Sequence, residues 1–354
     1  MASGLDDVVA AETTLSDVDG LAGRLIIRGR SLDELSGRTS AEEVLRLLFD
    51  GAFDRPPTNA DLGGARAEIF RRVVPSLADL GGLPVFDAVR AVIARLPDDQ
   101  SLDTALLLVA APAVVVPALL RRRAGKTPVP PDRTASHAAD ILRMLTGTTP
   151  TAEETAGLDA YLVTVADHGL NASTFAARVV ASTGAGLSSS ILAAYGALKG
   201  PLHGGAPGPV LDMIDAVGSA SQADLVLRAM LDRGERLPGF GHRIYRVRDP
   251  RADALKAALG KLQRTDRLAL ALAVEATALQ LLKARKPDRP LETNVEFFTA
   301  LLLDALGFPR DAFTAVFAMG RTAGWIAHAR EQAMSGRLIR PKSLYVGPLP
   351  KQAA

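Results

Sequence analysis

The sequence predicts an all-α fold, on three observations. Hydrophobic residues fill 48% of the 354 positions and aromatics only 5%, so the core is built from Ala, Leu and Val, a mixture suited to closely packed helices. Helix-start signals followed by apolar residues at helical spacing recur along most of the chain. Strand-rich runs at regular intervals are absent, as is any strand–helix alternation.

Near the start, Leu25 and Ile27 alternate with Arg24 and Arg28 between Gly23 and Gly29, which predicts a strand pair. Ser40 with Glu43 forms a capping box ahead of Val44, Leu45 and Leu48. Residues 55–64 and 125–131, rich in Pro and Gly, read as surface loops. Between them, residues 105–120 are the most apolar run, interrupted by Pro112 and Pro117 and closed by Arg121, Arg122 and Arg123. At about 16 residues it falls short of the roughly 20 that cross a bilayer, so a buried, kinked helix is expected. Thr151 with Glu154 opens another helix, and Ser221 with Asp224 a third that carries Val226, Leu227, Met230 and Leu231. Between residues 266 and 285, Leu272, Ala276 and Leu279 fall on one stripe; Arg285 and Lys286 occupy the last turn and Pro287 follows. Glycine clusters at 200–208 and 234–241 suggest a hand-over between two domains.

Several function classes drop out. A formal charge of +2 is no nucleic-acid footprint, and Arg121–Arg123 have no interleaved aromatics. Without cysteine there is no disulfide, thiolate catalysis or cysteine-ligated metal, and no histidine–glutamate spacing suits zinc, so no metal site is expected. Residues 1–7 lack a secretory pattern; a cytoplasmic, membrane-free protein is expected, in which the sequon at Asn171 is irrelevant. Gly125-Lys126-Thr127 mimics a P-loop end but is followed by Pro128. Gly239-Phe240-Gly241 lacks the third glycine of a dinucleotide fingerprint, Ile244 standing there.

What survives is two glycine-rich turns holding imidazoles, Gly200-Pro201-Leu202-His203-Gly204-Gly205 and Pro238-Gly239-Phe240-Gly241-His242-Arg243, and a short stretch holding a carboxylate, Asn294-Val295-Glu296. Histidine is otherwise scarce, at five residues, and glycine lets a backbone approach a ligand closely. With Asp249-Pro250-Arg251, the 167–174 segment around His168, and Arg321 to His328 followed by Glu331-Gln332 and Arg340-Pro341-Lys342, these stretches resemble the citrate synthase family in its short homodimeric bacterial form. The motifs keep the family's order, from Gly4 to Pro348.

The chemistry is arguable from the residues. An acetyl thioester gives up a methyl proton only when the developing enolate oxygen is stabilised. Glu296 is suited to serve as base and a neutral histidine as hydrogen-bond donor to that oxygen. The resemblance of the His203 loop to the family's first histidine loop implies that His203 is this donor and that His242 polarises the ketone of a second substrate. The resemblance implies the rest. Oxaloacetate would be held by His168, Arg251, Arg321 and, from the partner of a homodimer, Arg340. Coenzyme A would enter as a cosubstrate, no cofactor being tightly bound, and meet Leu237, Pro238, Gly239, Phe240, Gly241 and Asn294. Arg285, Lys286 and Arg289 stand either near its phosphates or simply in solvent. The product would be citrate, placing the enzyme, an acyltransferase, in the tricarboxylic acid cycle. His137 is expected to be exposed, His328 to pack on a helix face and Trp325 to sit in the core.

One position departs from the family: its usual base is aspartate, whereas Glu296 stands here. An added methylene displaces the carboxylate by about a bond length, and a misplacement near 1 Å costs on the order of a hundredfold. Three readings therefore stand: citrate synthase, 2-methylcitrate synthase acting on propionyl-CoA, and a weakly active or non-catalytic metabolite-binding paralogue. The expected large domain comprises residues 1–204 and 308–354, with dimerisation and the oxaloacetate site; the small domain, 205–307, binds coenzyme A and closes over the cleft.

Overall fold

The structure of the protein is a computed structural model, described over residues 8–203, 207–262, 265–289 and 291–348. The opening segment 1–7, the glycines Gly204 and Gly205 with Ala206, and the expected boundary between residues 204 and 205 lie outside the described residues. With 60% helix and 4% strand, the all-α class holds. The only sheet among the described residues is antiparallel, in the order β1 (Ser16–Asp19), β2 (Arg24–Ile27), β3 (Arg30–Ser31). Leu25 and Ile27 point into the core and Arg24 outward, as the period-2 alternation requires.

Ser40 and Thr151 cap the helices Ala41–Phe49 and Ala152–Val165 with complete capping boxes, each worth about 1 kcal/mol. Ser221 does not cap. It lies inside a 3₁₀ turn, Ala220–Gln222, whose Ala220 carbonyl already accepts the Ala223 N–H, so the helix Ala223–Asp232 starts without a side-chain cap. The helix Thr265–Arg285 buries Ala271, Val274, Ala278, Leu281 and Leu282, whereas Ala276 is exposed. The inward stripe is thus rotated from the one expected. Glu275 shares that face because Arg248, Lys256 and Thr293 bind its carboxylate.

Residues 55–64 are only partly loop. Thr58 caps the helix Asn59–Val73, which runs straight through Gly63 and Gly64. A Cβ on Gly63 would lie 2.1 Å from the Arg133 carbonyl oxygen, so this glycine marks a chain crossing. Gly→Ala inside a helix ordinarily gains about 1 kcal/mol, but overpacking costs about 1–3 kcal/mol. Gly63→Ala is therefore expected to lower the urea midpoint of unfolding; a raised midpoint would mean that the 133 segment yields freely.

The helix Leu102–Arg123 is long and apolar enough to cross a membrane by length and composition, but 89% of its apolar window is buried inside the chain. It packs against Asn59–Val73, Val85–Ile93, His137–Thr146 and the long helix Phe313–Ser335. Phe313–Ser335 carries Arg321, Trp325 and His328 through the core. Beyond it residues 337–348 run exposed, with Leu338, Leu344, Tyr345 and Val346 outward.

Candidate active site

Two loops bring His168 and His242 together. His168 lies between the helices Ala152–Val165 and Ala172–Ala181; His242 follows the glycine turn at 239–241. Their rings stand edge to face with centroids 5.6 Å apart. Tyr245 packs against both rings, its Oη 3.1 Å from His168 Nε2. The backbone N–H groups of Ile244 and Tyr245 both donate to His242 Nδ1 at 3.1 Å. The ring proton of neutral His242 is therefore on Nε2. Burial, and then the charge of Arg251, push its pKa down to about 4. His242 Nε2 lies 3.2 Å from Arg251 Nη2, so two donors converge on one point, where an acceptor oxygen would satisfy both.

Asp249 holds Arg251. Its carboxylate takes Arg251 Nε at 3.0 Å and Nη2 at 2.8 Å, caps the helix Pro250–Leu259 through the Arg251 N–H, and accepts the Val295 N–H at 3.1 Å. One buried carboxylate thus ties the guanidinium to the start of the helix Val295–Ala305, whose second residue is Glu296. Asn294 caps that helix, taking the Glu296 N–H at 3.0 Å and donating its amide to the Gly241 carbonyl at 2.8 Å. Further bonds, Asn294 N–H to Gly239 O and Gly241 N–H to Glu292 O, zip the two segments together. Gly239 has φ +85° and a Cβ there would lie 2.9 Å from Phe297, so only glycine permits this approach. Leu237 is buried at the start of this segment and Phe240 packs on Phe297; Pro238 is half-buried beside them. Burial pushes the Glu296 carboxyl up to about 6, opposed by the charge of Arg251.

His203 stands against the first turn of Ala172–Ala181. Its Nε2 accepts the Ser173 N–H at 3.3 Å and lies 2.8 Å from Ser173 Oγ, which also receives the Trp325 Nε1–H at 3.1 Å. Nε2 being an acceptor, the proton of the neutral ring is on Nδ1. Burial, then Arg321 and Arg243, lower the His203 pKa. Arg321 is buried, donates from Nε to the Val165 carbonyl at 2.5 Å, and leaves Nη2 without any partner. Burial pushes its pKa down to about 10 despite Asp167. Arg321 acts electrostatically on both His203 and His168, and Arg251 on His168, His242 and Glu296, so the predicted groups share one field.

Arg340 is not among them. It is exposed on the 337–348 segment. Arg285, Lys286 and Arg289 are exposed, with Arg285 paired to Asp232. His137 is not exposed as expected but buried beside Arg66, its backbone N–H donating to Glu42 Oε1 at 2.6 Å. Burial, then Arg66, pushes its pKa down to about 3. Trp325 is core, as expected, and His328 is buried between Arg178 and Asp167. Tyr245, Ser173 and the carboxylate of Asp249 were not singled out from sequence. Only Asp249 had a usable signal, an aspartate before proline at a helix start.

The family described as Citrate synthase, C-terminal domain, matches residues 4–342. A citrate synthase of Acidithiobacillus ferridurans is 35% identical over 375 residues, covering 98% of this chain and 95% of its own. The 2-methylcitrate synthase of Mycobacterium tuberculosis strain Erdman is 36% identical over 367 residues, covering 97% of this chain and 90% of its own. The solved ternary complex of Thermoplasma acidophilum citrate synthase with carboxymethyl coenzyme A and oxaloacetate superposes with a TM-score of 0.86 at 26% identity. It covers 100% of this chain and 98% of that one.

Proposed function

The chain belongs to the citrate synthase family, and on that premise we propose that it condenses acetyl-CoA with oxaloacetate and water to give citrate and free coenzyme A. The observation that carries this reading is the convergence of donors with no acceptor: His242 Nε2–H against Arg251, and the buried, unpartnered Nη2 of Arg321. A small dianion bearing a ketone supplies the missing acceptors.

In this mechanism Glu296 removes a methyl proton from the thioester while His203 Nδ1–H stabilises the enolate oxygen. The enol carbon attacks the ketone, His242 Nε2–H donates to the new alkoxide, and water cleaves the citryl thioester. Arg251, Arg321 and His168 bind the carboxylates, and Arg340 is delivered by the second subunit of a homodimer. The segment 237–241 and Asn294 receive coenzyme A, a cosubstrate and not a resident cofactor. Residues 205–307 close as a small domain over the remainder, excluding water as Glu296 meets the thioester. The setting is the cytoplasm and the tricarboxylic acid cycle.

A second reading, 2-methylcitrate synthesis from propionyl-CoA, is favoured by the similarity to the mycobacterial enzyme. A pocket separates one methylene by only about 1–3 kcal/mol, so mixed activity is expected. Thiol release, measured with acetyl-CoA and propionyl-CoA side by side, is expected to depend on oxaloacetate, with the larger kcat/KM naming the main substrate. No release with either thioester, together with thermal stabilisation by oxaloacetate or coenzyme A, would instead identify a binding paralogue.

A further inference from the structure

Tyr245 touches three of the four groups expected to hold the acceptor substrate within this chain's own cluster. Its hydroxyl is 3.1 Å from His168 Nε2, its ring centroid is 4.8 Å from that of His242, and the Arg251 guanidinium lies 5.7 Å over the same ring. Its backbone N–H also donates to His242 Nδ1 at 3.1 Å. Tyr245 is only 3% exposed, so its phenol must find a polar partner inside, and His168 supplies it.

We propose that Tyr245 is a positioning residue for the 2-oxo acid: its phenol fixes the ring orientation of His168 and, by its backbone and its ring, the proton-bearing edge of His242. This inference rests on the condensation reading above and deepens it, by assigning the acceptor half of the site a residue that the thioester half does not need. His203, which faces the thioester, is held independently by Ser173. The contact between Tyr245 and His168 spans 77 residues of sequence and joins the segment after His242 to the loop of His168. Loss of the hydroxyl frees the His168 imidazole to turn while leaving the aromatic stack in place.

Tyr245→Phe decides it. The oxaloacetate KM is expected to rise about three- to tenfold, the cost of one hydrogen bond, while the acetyl-CoA KM stays within about twofold. In the ligand-free protein the ¹⁵N imidazole resonances of His168 are expected to shift. A double variant with His168→Asn should be no worse for oxaloacetate than His168→Asn alone, because the phenol acts through that ring. His168 resonances that superpose on wild type overturn the proposal, as does an unchanged oxaloacetate KM. A uniform fall in kcat with both KM values raised also overturns it, since a merely structural role predicts that pattern. If wild type releases no thiol with oxaloacetate, the condensation reading fails, and the resonances of the ligand-free protein still decide the role of Tyr245.

Discussion

Glu296→Gln is expected to lower kcat for thiol release by about 10²–10⁴-fold while leaving the oxaloacetate KM within about threefold. The amide keeps the size of the side chain and the Asn294 cap but cannot take a proton. The base must be ionised, and its carboxyl is held at about 6, so wild-type kcat/KM should rise with pH through about 6 and level off above it. His242, held at about 4, stays neutral over that range, and burial lowers His203 in the same direction. Stability has the opposite sign. A carboxyl raised on folding contributes stability below its unfolded value near 4.5 and loses it as pH climbs through about 6. Glu296→Gln should therefore be the more heat-stable protein at pH 8, by up to about 2 kcal/mol, with the advantage vanishing below pH 4.5. Inactivity combined with added stability at high pH marks a removed base; inactivity with lost stability would mean the helix start had been damaged. Glu296→Asp then weighs reach: strong activation would show that the native carboxylate overshoots, a further loss that the turn is built around glutamate.

What sequence made legible here is tied to local chemistry. The capping boxes at Ser40 and Thr151 and the alternation around Leu25 and Ile27 each depend on residues within a few positions, and each is present. His242 follows a turn whose glycines answer to backbone geometry, as the positive φ of Gly239 and Gly241 shows, whereas Glu296 has no glycine beside it and was located by its segment's resemblance to the family. Failures came where the deciding partner is far along the chain. His137 sits in a polar stretch, but Arg66, 71 residues away, buries it. Gly63 read as loop because the Arg133 carbonyl that requires it cannot be seen from its neighbours. The stripe on Thr265–Arg285 was misplaced because apolar residues occur on more than one of its faces, and Arg248, Lys256 and Thr293 decide that the face of Glu275 turns inward. Tyr245 carries no signal of its own, since its meaning lies in a histidine 77 positions earlier.

Asp249→Asn is expected to be the most damaging single isostere to stability, costing about 3–5 kcal/mol in denaturant unfolding. Asp249 and Arg251 are 1% and 3% exposed, so the guanidinium has no water to turn to. One carboxylate oxygen accepts from the Arg251 N–H and Nε, the other from Arg251 Nη2 and the Val295 N–H. An amide offers an acceptor to only one of these pairs and points its own N–H groups at the other. Either orientation leaves two donors facing donors and a cation without its counter-charge. The loss should propagate to catalysis with a defined sign. With Asp249 neutral, the charge of Arg251 bears on Glu296 uncompensated, so the carboxyl of Glu296 should fall and the acid limb of kcat/KM move below pH 6. A variant that unfolds less than about 1 kcal/mol more easily, with its acid limb unmoved, would mean that Asp249 neither neutralises Arg251 nor ties it to the helix of the base.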